Sequence, residues 1–160
     1  MAFDVAKRVL EERGFGDRVM EFECSSATVA LAAVAVGTEP ARIAKSVTFC
    51  ITGEEEPYAA MILCAGDTKV NNSKFKSVFH CKAKMLTPEQ VRDMVGQEIG
   101  GVCPFGCDPR VRVFLDESLK RFDIVYPACG SDNSAVKLSI EELEKAADCR
   151  NWIDVCNIAE

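Results

Sequence analysis

The sequence predicts an α/β fold in which a mixed, partly barrel-like β-sheet is surrounded by helices. Three observations carry this reading. Helix-like and strand-like segments alternate along the 160 residues. Two strand-like runs, Ser46–Thr52 and Tyr58–Ala65, follow one another across a short charged turn, as in a hairpin. No β-helix-β unit repeats, so the helices pack around the sheet rather than alternating regularly with its strands. No repeat, linker or composition break divides the chain, and residues 1–160 are expected to form one domain, long enough to bury a core without metal or disulfides.

The elements follow from local chemistry. Phe3, Ala6, Val9 and Leu10 recur at the spacing of an amphipathic helix that Gly14 ends. Val19–Glu23 alternates like a strand. Ser25 and Ser26 supply N-cap chemistry ahead of an alanine-rich helix that reaches Val36, with Gly37 beyond it. This helix is apolar on nearly every face, which predicts burial against the sheet. Pro40 restarts a helical turn, and Lys45 stands immediately before the strand Ser46–Thr52. The turn Gly53-Glu54-Glu55-Glu56-Pro57 leads to the nearly continuous apolar strand Tyr58–Ala65, read as buried on both faces. A lysine at a strand mouth is either a solvated charge or a residue with a specific role.

From Thr68 to Pro88 the chain has no acidic residue but five lysines, Lys69, Lys74, Lys76, Lys82 and Lys84, although its net charge is −6. After the cap signal Asn71-Asn72-Ser73, Phe75, Val78 and Phe79 share one helix face and leave the lysines outward. The basic segment is therefore a solvated face or a phosphate-contacting surface. Lys82–Leu86 reads as a short strand. Thr87, Pro88 and Gln90 form a capping box with proline at the first helical position. That helix ends near Gly96 and enters a loop, residues 96–109, with four glycines and two prolines in fourteen residues. Glycine permits positive φ and close approach, and proline stiffens, so the loop is either a long connector or a shaped surface presenting main-chain N–H groups. Beyond it come a strand at Val111–Phe114, a short helix capped by Asp116, a strand at Asp123–Tyr126, a turn at 127–133 and a strand at Ala135–Leu138. A second capping box, Ser139 with Glu142, opens a helix to about Ala147, and Trp152–Val155 closes the chain as a strand.

Composition excludes several classes. Hydrophobic residues are 48% and charged residues 28%, ordinary for a globular protein. The longest apolar run, Ala27–Gly37, is about half a membrane span. The N-terminus carries charge where a signal peptide carries an apolar core, so a cytoplasmic protein is expected. Net negative charge argues against general nucleic-acid coating. The nine cysteines are odd in number and irregular in spacing; reduced thiols are the expectation. Cys103 and Cys107 make a C-x3-C pair, but His80 is the single histidine and no second close cysteine pair completes a zinc site, so neither metal nor cofactor is expected.

The series Ser25-Ser26-Ala27-Thr28, Ala44-Lys45-Ser46-Val47-Thr48-Phe49, Gly66-Asp67, Thr87-Pro88-Glu89-Gln90, Gly100-Gly101-Val102-Cys103-Pro104-Phe105-Gly106 and Cys129-Gly130-Ser131 resembles the YbaK/prolyl-tRNA synthetase editing-domain superfamily of aminoacyl-tRNA deacylases. The resemblance runs over almost the whole chain. Its most specific part is Gly-Gly-x-x-Pro-x-Gly with an upstream lysine. It implies hydrolysis, in trans, of the ester joining a wrong amino acid to the terminal adenosine of tRNA. On this resemblance the backbone of Gly100, Gly101, Val102, Cys103 and Pro104 grips the ester and orients water, and the substrate's own ribose hydroxyl assists. Lys45 holds the terminal phosphate or ribose oxygens. Ser25, Ser26, Thr28, Gly130 and Ser131 shape the pocket. Mischarged tRNA is the implied partner, an aminoacyl-tRNA synthetase a further one, with no role for DNA or membrane. Two other readings stay open: a non-catalytic module holding tRNA or a synthetase through the lysine-rich segment, and a cysteine-based redox protein using Cys103 and Cys107. Alanyl, cysteinyl, seryl, threonyl and prolyl esters all remain candidates.

Overall fold

A computed structural model describes residues 2–52 and 56–159. Most of the turn expected at Gly53–Pro57 lies outside the described residues. The elements, in order, are α1 (Ala2–Glu12), β1 (Val19–Glu21), α2 (Val29–Val36), β2 (Ile43–Ile51), β3 (Tyr58–Ala65), β4 (Thr68–Val70), α3 (Asn72–Phe79), α4 (Pro88–Gln90), β5 (Arg112–Asp116), β6 (Ile124–Pro127), β7 (Ser134–Val136), β8 (Leu138–Ser139), α5 (Ile140–Ala147), β9 (Trp152–Ile153) and β10 (Cys156–Ile158). Single 3-10 turns at Gly16–Arg18, Pro40–Arg42 and Glu117–Arg121 link them.

The sheet is mixed, as predicted. Its six strands run β8-β6-β2-β3-β5-β9, with β2 antiparallel to β3 while β2–β6, β3–β5 and β5–β9 are parallel. An isolated bridge between Ala128 and Ala135 prolongs the β6 pairing toward β7, which pairs with β1 and curls the sheet into a half-barrel. The hairpin is the centre of the molecule: Ala60 to Ala65 of β3 are wholly shielded from solvent, as its unbroken apolar run requires.

Helices cover both faces. On one, Ala6 and Leu10 of α1 and Leu143, Ala146 and Ala147 of α5 meet Met61, Leu63 and Leu115. On the other, a ladder of rings joins α3 to the sheet, Phe49–Phe75, Phe75–Phe79 and Phe79–Phe114, with centroids 4.8, 4.7 and 5.2 Å apart. Side chains of this size contribute about 1.5–3 kcal/mol each when fully buried. Buried Asp116 is satisfied twice, by the N–H groups of Ser118 and Val155, each at 2.9 Å. Among the described residues no helix is long and apolar enough to cross a membrane.

Four details correct the sequence expectations. The N-cap of α2 is Thr28, whose Oγ1 accepts from the Leu31 N–H, and not Ser25 or Ser26. The helix is also less buried than its composition suggests, with Leu31 45% and Val34 79% exposed. It sits at the rim of the sheet, where Ala32 and Ala33, with half-buried Val29 and Val36, pack against Ile43 and Tyr126. Lys45 lies inside β2 rather than before it, because Ile43 and Ala44 pair in parallel with Tyr126 and Pro127 and so begin the strand earlier. Strands β4 and β10, which pair with each other, were not anticipated.

Candidate active site

A gap in the pairing of β2 creates the site. Strand β6 pairs with β2 only at Ile43 and Ala44. Farther along, the 84–86 segment takes over: Leu86 N–H donates to Thr48 O at 3.1 Å, and Cys50 N–H donates to Lys84 O at 2.9 Å. Between these two attachments Lys45, Ser46 and Val47 border a cavity of about 270 Å³. Its other walls come from Ser26–Val29 and Ala32 on one side, Ile99, Gly100 and Val102 on another, and Tyr126, Ala128, Ser134 and Ala135 below.

The Lys45 ammonium donates to the Thr68 carbonyl. That bond aims the side chain and leaves two of its three N–H donors for a ligand. The turn carrying Thr68 is itself pinned, since Arg121 grips Asp67 through two bonds of 2.6 and 3.0 Å. This hydrogen-bonded pairing holds the Asp67 carboxyl below its ordinary range.

The glycine-rich loop is closed at its ends. The helix begun by the Thr87 capping box widens over Val91–Val95 into a π turn, with Gly96 N–H on Val91 O at 3.1 Å, and Asp108 N–H donates to Val95 O at 2.9 Å. Inside the loop the N–H groups alternate in their commitments. Gly101 N–H donates to Glu98 O at 3.2 Å and Cys103 N–H to Gln97 Oε1 at 2.9 Å. The N–H groups of Gly100 and Val102 have no partner among the described residues, and both residues line the cavity. Gly100 has φ +99, a conformation that favours glycine. Gly101 faces the opposite way, where a Cβ would stand 2.7 Å from the Ser131 nitrogen.

Cys103 and Pro104 are buried and lie away from the cavity. The Cys103 thiol donates to Phe105 O at 3.6 Å, and burial raises its pKa far above the ordinary thiol value. Burial likewise pushes Cys107 up to about 11 and Cys129 up to about 12. A thiolate nucleophile is disfavoured at all three. Among the described residues no group of three His, Cys, Asp or Glu side chains could hold a metal ion.

The remaining sequence-derived candidates separate. Ser26 and Thr28 line the cavity, Thr28 with its hydroxyl committed to the α2 cap; Ser25 is exposed, its Oγ accepting from Ala27 N–H at 3.2 Å. Gly130 and Ser131 line a second cavity behind the loop, of about 530 Å³, together with Gly101 and Gln97. Ser131 reaches the first site through Ser134, their Oγ atoms 2.6 Å apart. Lys82 and Lys84 are exposed beside Met85 and Leu86, which line the cavity. Lys69 and Lys76 are exposed on β4 and α3, while Lys74 is tied to Asp154 at 3.1 Å and to Cys156 O at 3.0 Å. Sequence reasoning missed Ser46, Gln97, Ala128 and Ala135. Of these, only Ser46 carried a signal, its place beside Lys45.

The aminoacyl-tRNA editing domain model matches residues 24–146, the span containing every wall of this cavity. YwhH of Bacillus subtilis (strain 168), an uncharacterised protein, is 49% identical over 138 residues, covering 86% of each chain. A proline–tRNA ligase of Geobacillus sp. (strain WCH70) is 28% identical over 94 residues, 58% of this chain but 16% of the ligase. Among solved structures, a protein provisionally described as a trans-editing enzyme for prolyl tRNA synthetase superposes with TM-score 0.83 and 30% identity, covering 98% of this chain and 97% of that one. The chain belongs to the aminoacyl-tRNA editing domain family.

Proposed function

We propose that the protein is a trans-acting deacylase that hydrolyses the ester of mischarged tRNA by positioning a water against the carbonyl. The observation that carries this reading is that one cavity is lined by Lys45 and by Gly100 and Val102, two loop residues whose N–H groups have no partner among the described residues. Two N–H groups on a rigid turn suit the oxyanion that forms when water adds to an ester carbon. The remaining donors of Lys45 hold phosphate or ribose oxygens of the terminal adenosine as a point charge. Among the described residues no His, Cys, Asp or Glu lines the cavity, so proton transfer falls to the water and the neighbouring ribose hydroxyl. Collapse of the tetrahedral species breaks the carbonyl–ribose C–O bond, releases the amino acid and leaves the ribose hydroxyl free. Exposed Lys82 and Lys84 at the rim offer the approaching acceptor end charge without specificity.

A hydrolytic site of this kind restores accuracy where a synthetase pocket separates similar small side chains poorly. Incubation with a panel of mischarged tRNAs tests the proposal. Ester cleavage that Lys45→Ala lowers by at least about tenfold, the scale of one lost charge-assisted contact, supports it; absence of cleavage across the panel rules it out. The binding-module reading predicts instead salt-sensitive tRNA binding that survives Lys45→Ala and falls when the lysines of the basic segment are neutralised.

A further inference from the structure

Two hydroxyls around the cavity are committed to the protein. Thr28 caps α2, and Ser134 is joined to Ser131, which also donates to Asn133 Oδ1 at 2.9 Å. Ser26 and Ser46 differ. Both Oγ atoms are buried and have no hydrogen-bond partner among the described residues, and both residues line the cavity. Ser26 is only 7% exposed, and its backbone is clamped by a 2.6 Å bond from its N–H to Asp132 O. Ser46 is held in β2 opposite Leu63. Buried hydroxyls left unpaired are costly, and native structures retain few of them without a reason.

We infer that Ser26 and Ser46 form a recognition pair for the side-chain hydroxyl of the aminoacyl group, so that seryl and threonyl esters are the preferred substrates; this rests on the deacylase reading. The cavity's chemistry favours a neutral hydroxyl at these two atoms. Among the described residues no carboxylate lines the cavity and Lys45 is its one charged side chain, so burying the substrate's α-ammonium against two serines would leave that charge without a counterion. A side-chain O–H can donate to one serine and accept from the other. The alanine walls at positions 32, 44, 128 and 135 keep the space small. An alanyl group fits the same volume but leaves both hydroxyls unpaired, the situation in which a polar site rejects an apolar analogue.

The test uses non-hydrolysable seryl and alanyl amides of 3′-aminoadenosine, measured by calorimetry against the full chain, with cleavage of seryl- and alanyl-tRNA assayed alongside. The expected result is at least about tenfold tighter binding of the seryl analogue, a preference that drops toward unity in both Ser26→Ala and Ser46→Ala. Because neither hydroxyl has a protein partner, each variant should melt at or above the wild-type temperature, which separates lost recognition from lost folding. Equal binding of the two analogues, no binding of either, or a preference that survives in both variants overturns the inference. So does an equal loss for both analogues, which would assign the serines to a group all esters share or to the attacking water. Seryl preference in binding without any cleavage keeps the recognition pair and removes the deacylase. Alanyl-tRNA cleaved as fast as seryl-tRNA does the reverse.

Discussion

Within one loop, Gly100–Val102 and Cys103–Phe105 are adjacent in sequence and opposite in character. The first stretch borders the cavity and holds two uncommitted N–H groups. The second is buried, with the Cys103 N–H, the Cys103 thiol and the ring of Phe105 all engaged by the protein. The difference teaches that the buried stretch, thiol included, serves as an anchor, and on the proposed function the chemistry falls to the backbone whose geometry that anchor maintains. The neighbours Gln97 and Glu98 hold one stretch each, since the Gln97 side chain accepts from Cys103 N–H while Gly101, in the middle of the first stretch, is bound to Glu98 O.

Removing the anchor should have the largest effect. Phe105 has no exposed surface, and Phe105→Ala is expected to cost about 3–5 kcal/mol, read from the urea midpoint at unchanged m-value. A smaller loss, about 1–3 kcal/mol, is expected for Gln97→Ala, which strands the buried Cys103 N–H. That variant should also lower deacylation, because the turn it steadies carries the free donors; unchanged activity in a destabilised protein would separate the halves that we have joined. At the level of reactivity, exposed Cys24 should be alkylated by iodoacetamide well before Cys103. With its pKa raised by burial, Cys103 stays a neutral thiol throughout the pH 7–9 range, so its labelling there should not rise as an ordinary thiol's does.

The smallest effect is expected where the loop ends. Asp108 meets exposed Arg110 at 2.8 Å, and this hydrogen-bonded pairing holds its carboxyl at about 2. A depressed carboxylate stabilises the fold above its unfolded value of about 3.9, and that contribution disappears as pH falls through about 2. Asp108→Asn should therefore change stability by less than about 1 kcal/mol at pH 7, with the difference from wild type vanishing in acid. A larger change at neutral pH would mean that the closing turn, rather than the buried anchor, maintains the loop.

Much of this was legible in the chain because it is local. The boxes Thr87–Gln90 and Ser139–Glu142, and the caps Asn71 and Asp116, depend on residues within three positions of one another, and all were read correctly. What depends on partners far along the chain was not. The early start of β2 comes from Tyr126 and Pro127, β4 needs β10, and the exposure of Leu31 and Val34 follows from α2 packing at the rim of the sheet through its other face. At the site, Lys45 and Gly100 stood out through their motifs. Ser46, Ala128 and Ala135 are ordinary residue types whose place on the cavity is created only by the parallel pairing of β6 with β2 and the bridge that prolongs it.

The most direct test of the loop's division of labour is steady-state deacylation of one cleavable mischarged tRNA by the wild type, Gly100→Ala and Cys103→Ala. Alanine at position 100 must adopt φ +99 and places its methyl 3.4 Å from Ala27 Cβ, displacing the donor turn. We predict that Gly100→Ala lowers kcat/KM by more than about tenfold, the rate equivalent of one misplaced donor, while Cys103→Ala stays within about threefold of wild type at a temperature where both are folded. Loss of activity on removal of the Cys103 thiol, with Gly100→Ala left active, would contradict backbone catalysis and return the reaction to the cysteine.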